Sequence, residues 1–262
     1  MRMTVLAAGM ATMMVVAGFA GSDARPRRTR PDAHNRPSGG MVEKPYDGNV
    51  LRVMDAQGAV SHEKVADMVR RMRWATLLPF ETVASGRING GIKELSEAAK
   101  ALVSEKKIGA GVIIIDDANL PFRIHSEESN WAILNVAFLK EDHPDKNKLE
   151  TRIEKMVWRA LARSLQVGSV THMPSVLQPF RTLSELDSNT IMRPSPEGFN
   201  AFIDNSKVYG ITTITISSYR DACHKGWAPT PTNALQRAIW DQIQADKERG
   251  PTNPITIKPP KK

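Results

Sequence analysis

The body of the chain opens with alternation. Asn49-Val50-Leu51-Arg52-Val53-Met54 alternates polar and apolar positions and stops at Gln57-Gly58, which predicts a strand. Ser61 is a residue type that caps helices, and after it Val65, Met68, Val69, Met72 and Ala75 recur at helical spacing. Leu77 to Val83 predicts a second strand, for which Pro79 argues an edge position or a late start. Gly86 to Gly91 is a loop, and Ile92, Leu95, Ala99 and Leu102 mark a second helix. The run Gly111 to Ile115 is apolar throughout and ends at Asp116-Asp117, the pattern of a central strand covered on both faces. Phe122 to His125 and Trp131 to Phe138 predict two further strands. Between Pro144 and Pro174 lies the longest helix, with Leu149, Ile153, Met156, Val157, Ala160, Leu161 and Leu165 as its apolar stripe and Gly168 as its C-cap.

Beyond Pro174 the pattern is less regular. Leu183 to Leu186 predicts a short helical turn. Pro196 to Val208 predicts a helix ended by Tyr209-Gly210, and Ile211 to Ser217 is rich in strand formers. Thr232 or Asn233 caps a last helix carrying Leu235, Ile239 and Ile243. Strands alternating with helices imply an α/β domain. The expected architecture is a mixed sheet with flanking helices over 46–170, followed by an irregular α+β part over 171–245.

The ends of the chain differ from its body. Met1 to Ala20 has Arg2, then an uncharged apolar run, then Gly18-Phe19-Ala20, which reads as a secretory signal. An uncleaved anchor is the alternative, although the run falls short of the ~20 residues a membrane span needs. Residues 21–45 are rich in Arg, Pro and Gly and read as a disordered linker, and 246–262 as a basic flexible tail. No membrane span is expected after the signal. The single cysteine, Cys223, permits no internal disulfide.

The formal net charge of +8 first suggests an anionic partner. Its distribution changes that picture: +1 falls on 1–20, +3 on 21–45 and +3 on 246–262, leaving +1 for the body. A nucleic-acid binder would carry its basicity on an ordered face, so nucleic acid is not an expected partner. The expected partner is instead a protein or a polymer, and the expected compartment is periplasmic or secreted.

The order of elements up to Gly168, with Trp131 to Leu139 preceding a long helix over Arg152 to Gly168 and with Pro174 to Pro179 behind it, resembles the metzincin-type zinc peptidases, archaemetzincins above all. That resemblance implies a helix bearing H-E-x-x-H-x-x-G-x-x-H. Zinc chemistry there needs two imidazoles one turn apart, a third ligand and a glutamate that activates water. From Glu150 to Gly168 there is neither His nor Cys; among the polar positions are Arg152, Glu154, Lys155, Arg159, Arg163 and Gln166. No catalytic residue carries over, and zinc is expected to be absent. The stretch Ser218 to Trp240 is similar to the tail of uncharacterised exported proteins of Verrucomicrobia-like bacteria, which implies a compartment and no activity.

Several residues remain as site candidates, each with a plainer alternative. Cys223-His224 suggests a thiol nucleophile and base, or a small buried hydrophobe beside a surface imidazole. His172, with Met173 and one of His125, His143 or Asp187, suggests a relocated metal or hydrolytic centre, or an ordinary surface histidine. Asp116 and Asp117 close a buried strand, where ligands of open α/β sheets bind and where aspartates also serve turns. Arg159 and Arg163, one turn apart, suit a carboxylate or phosphate, unless Glu150 and Glu154 pair with them. Trp227, in a Pro-rich stretch, suggests a recognition surface or simple packing. The sequence therefore predicts an exported, metallopeptidase-like protein without peptidase chemistry, acting by binding or as structure. Two alternatives are a hydrolase rebuilt around His172 and an envelope protein whose linker holds anionic polymer.

Overall fold

The computed structural model describes residues 39–249 apart from 57, 86–87, 89 and 126–129. The expected signal, most of the linker and most of the basic tail lie outside the described residues.

Five strands make the central sheet: β2 (Val50–Ala56), β3 (Phe80–Ser85), β4 (Ile108–Ile115), β5 (Arg123–His125) and β6 (Trp131–Asn135). Their order is β3-β2-β4-β6-β5. The first four run parallel and β5 lies antiparallel against β6. The sheet is therefore mixed, and β3, the strand that follows Pro79, is an edge as expected. Helices α1 (His62–Thr76) and α2 (Ile92–Ser104) make the crossovers that parallel neighbours require.

Burial follows the period-two geometry of strands. Val112 and Ile114 of β4 join Leu51, Val53, helix α1 and the long helix α3 (Lys146–Ser164) in one core. Ile113 and Ile115 face the other way and pack on Leu95, Ala99 and Leu102 of α2. Every residue of β4 is buried, as its unbroken apolar run implies.

The strand beginning at Trp131 stops at Asn135 instead of running to Phe138. The buried Asn135 amide donates to the carbonyls of Asp117 (2.6 Å) and Leu120 (2.9 Å), while its Oδ1 accepts from the amides of Asp117 and Ala137. One side chain thus replaces the ladder with a 3-10 turn over Ala137–Lys140.

Helix α3 also ends differently. Its C-cap is Leu165, and Gln166, not Gly168, takes the left-handed conformation (φ 55). The Val167 amide reaches the Ala162 carbonyl (2.7 Å) and the Gln166 amide the Arg163 carbonyl (3.0 Å). These two bonds form a Schellman motif.

The C-terminal part comprises α4 (Leu183–Ser188), α5 (Pro196–Val208), β7 (Ile216–Ser218), α6 (Tyr219–His224) and α7 (Ala234–Glu248). Gly210, with φ 71, follows α5 where Tyr209-Gly210 predicts its end. Only the end of the strand-forming stretch becomes a strand, which runs over Ile216–Ser218, while Ile211 turns into the core against Gly109. A Cβ on Gly109 would stand 2.5 Å from Ile211. Asn233 caps α7, its Oδ1 accepting from the Gln236 amide at 2.9 Å.

Three boundaries are corrected. Met41–Glu43 forms β1, antiparallel to β7, so ordered chain reaches into the expected linker. Helix α7 runs to Glu248, into the expected tail. Val176, Leu177, Leu186, Phe202 and Ile211 share the main core with the sheet, so residue 170 is not a packing boundary.

Candidate anion site on helix α3

Helix α3 is amphipathic, yet its buried face includes cations. Arg152 is 0% exposed, Lys155 2% and Arg159 9%. A buried charge without partners is costly, so what surrounds each of the three defines its role.

Arg152 is fully partnered. Its Nη1 and Nη2 donate to the two carboxylate oxygens of Asp142 at 2.5 and 2.7 Å. Its Nε and Nη2 donate to those of Asp187 at 2.7 and 2.6 Å, and Nη1 also reaches the Leu139 carbonyl at 2.8 Å. Two bidentate forks of this kind fix geometry in a way that lysine cannot. They fasten the turn after β6 and helix α4 to α3. Asp187 and then Asp142 raise the Arg152 pKa further, and the guanidinium holds both carboxyls below the ordinary aspartate value. One turn on, Lys155 Nζ donates to the Leu186 carbonyl at 2.7 Å, and burial lowers its pKa.

The second half of α3 is different. Arg159 donates through Nη2 to the Gln178 carbonyl and stacks 4.7 Å above the Phe180 ring. Its buried Nε–H has no partner. Burial, and then the Arg123 guanidinium, lower its pKa to about 10. Arg123, the first residue of β5, stacks 5.1 Å above Phe122. Its side chain is exposed as a whole, but desolvation of the head over that ring, followed by Arg163, lowers its pKa. Exposed Arg163 completes the group. Arg123, Arg159 and Arg163 line one depression of about 30 Å³, open to solvent, with Val167, Gly168 and Leu177 among its other walls. No described carboxylate pairs with any of the three. Glu150 is paired with Lys64 and Glu154 with Arg71, on the α1 side of the helix. The intrahelical pairing considered for Arg159 and Arg163 therefore does not form.

The other candidates are scattered. Cys223 is 2% exposed, packed with Tyr219, Ile239 and Ile243, and burial pushes its thiol pKa up. A nucleophilic thiol needs the reverse. His224 ends α6 on the surface. His172 is exposed and pairs with Glu197 at 2.9 Å, while Asp187 is committed to Arg152. Asp116 pairs with Lys140, and Asp117 accepts from the Asn119 amide at 2.9 Å; both serve the turn after β4. Trp227 is half-buried after α6, its amide bonded to the Ala222 carbonyl.

Arg123 was not singled out in the sequence. It lies outside the helical stripe, and only the antiparallel pairing of β5 on β6 carries it to α3. The zinc that the family resemblance implies finds no fitting donor set among the described residues. Among the described residues, no three His, Cys, Asp or Glu side chains gather into a group suited to a metal ion, and the charged positions of α3 are cations and glutamates paired with α1. Among the described residues, no helix is long and apolar enough to cross a membrane.

No family model matches the chain, and no curated protein matches it. Two solved structures are similar in fold outline. One is an archaemetzincin from Methanopyrus kandleri, at 15% identity and a TM-score of 0.47, covering 61% of this chain and 96% of that one. The other is a zinc-dependent peptidase from Methanocorpusculum labreanum, at 12% identity and a TM-score of 0.47, covering 58% of this chain and 99% of that one.

Proposed function

We propose that this chain is an exported binding protein with a metallopeptidase-like fold and no zinc-peptidase chemistry. The observation that carries the reading is the use made of α3. Where peptidase chemistry would need imidazoles and a free glutamate, the buried charged positions are Arg152, Lys155 and Arg159. Arg152 is locked by Asp142 and Asp187 into a structural clamp. A divalent cation brought to this face would meet fixed positive charge, which opposes its binding at any ordinary protein dielectric. Export rests on the apolar, charge-flanked first twenty residues of the sequence. Recognition falls to whatever the unpaired cations of the same helix attract.

The test is metal content and hydrolysis measured together. Purified full-length chain is dialysed against trace zinc, bound metal is read by elemental mass spectrometry, and a mixed peptide library is assayed for cleavage. Zinc far below one per chain and no cleavage are the expected result. Stoichiometric zinc accompanied by zinc-dependent cleavage overturns the reading.

A further inference from the structure

The geometry points to a phosphate-binding site formed by Arg123, Arg159 and Arg163, taking a phosphate monoester or inorganic phosphate. The inference deepens the binding reading above by naming the ligand class.

Three features of the depression carry it. The first is uncompensated charge. Three guanidiniums gather from β5 and the last two turns of α3, with no described carboxylate among them. Arg159 and Arg163 are one turn apart, a like-charge pair of the kind that destabilises a helix. Such a cluster persists at a cost unless an anion occupies it.

The second is preorganisation. Arg159 and Arg123 are seated on the faces of Phe180 and Phe122, whose rings meet edge to face at 6.4 Å. A guanidinium stacked on a ring keeps its N–H edge for a ligand, and its planar fork matches phosphate oxygens. The buried Nε–H of Arg159 is one donor still without an acceptor.

The third is shape and grading. Arg159 is 9% exposed and sits deep, whereas Arg123 and Arg163 are exposed at the rim. The depression is shallow, with about 30 Å³ of enclosed room, which suits one phosphoryl group held at its rim better than a polymer segment. Three positive charges favour a phosphate dianion over a single carboxylate, because Coulomb attraction scales with the ligand charge.

Isothermal titration calorimetry of the full chain at low ionic strength tests the site, with inorganic phosphate as the probe and acetate as the comparison. Saturable one-to-one phosphate binding is expected, with acetate weaker. Arg123→Gln and Arg163→Gln are rim changes that leave the core untouched, and each is expected to weaken phosphate about tenfold, the loss of one charge-assisted hydrogen bond. Arg71→Gln removes an exposed arginine across the helix and is expected to change nothing. Absence of saturable binding overturns the proposal, and so does binding that the Arg123→Gln/Arg163→Gln double variant retains. Phosphatidylcholine vesicles with and without phosphatidic acid separate two sources of the same chemistry. Association that needs the acidic lipid and both rim arginines assigns it to a headgroup; lack of association assigns it to a soluble phosphate. The zinc measurement is independent: a chain that holds zinc and phosphate loses the function proposed above and keeps this site.

Discussion

Arg152 and Arg159 are about two turns apart on one helix, and both are buried, yet their surroundings oppose each other. Around Arg152, two carboxylates and a carbonyl take up the guanidinium donors. Around Arg159, a carbonyl and an aromatic face provide partial compensation, and the Arg123 guanidinium adds repulsion. The first arrangement ties elements together and needs no further ligand. The second is under electrostatic tension and retains an unused donor. Residue type and burial are therefore poor guides to role; the sign of the neighbouring charge separates a fastening from a site.

The largest effect is expected at the fastening. Asp142→Ala with Asp187→Ala leaves Arg152 buried without a counter-charge, which is expected to lower stability strongly. Urea unfolding monitored by circular dichroism reads it, and a loss below 1 kcal/mol would erase the contrast between the two arginines. The same clamp dictates acid behaviour. Both carboxyls titrate below the ordinary 3.8 in the folded chain, so their contribution is present above that pH and is lost as the pH falls below it. The double variant removes this part of the acid lability.

An intermediate effect is expected at the end of α3, beside the arginine depression. Gln166 holds a left-handed conformation that costs a non-glycine residue roughly 1–2 kcal/mol. Gln166→Gly retains the Schellman bonds and raises stability by about 1 kcal/mol after the entropy of glycine is subtracted. A decrease in the unfolding midpoint would show that the Gln166 side chain supports the depression wall.

The smallest effect sharpens the comparison most. In phosphate-free buffer Arg163→Gln relieves a like-charge pair and is expected to stabilise the chain by about 0.2–0.5 kcal/mol. Differential scanning calorimetry detects it as a higher midpoint. A lower midpoint would mean that Arg163 is structurally paired, as Arg152 is.

Much of the fold was legible because it depends on periodicity. The both-face burial of β4, the edge position of β3, the span of α5 and the stripe of α3 all follow from local patterns of apolar residues. Departures arose where one polar side chain outweighed the pattern, as when Asn135 turned the chain out of β6, or where a partner lay far away, as when β7 recruited Met41–Glu43. The site was half legible. Arg159 and Arg163 stand out as neighbours on a helix, but Glu150 and Glu154 gave them an equally local explanation. Only the packing of α1 against α3, which takes those glutamates for Lys64 and Arg71, decided between the two.

What the sequence determined alone is the α/β class, the order of elements and the lack of any imidazole on the long helix, because hydrophobic period and residue identity are local quantities. The tertiary structure decided which cations are paired. Asp187 lies 35 residues from Arg152, and Arg123 reaches α3 only through strand β5, so the charge balance at each site is set by packing between distant segments.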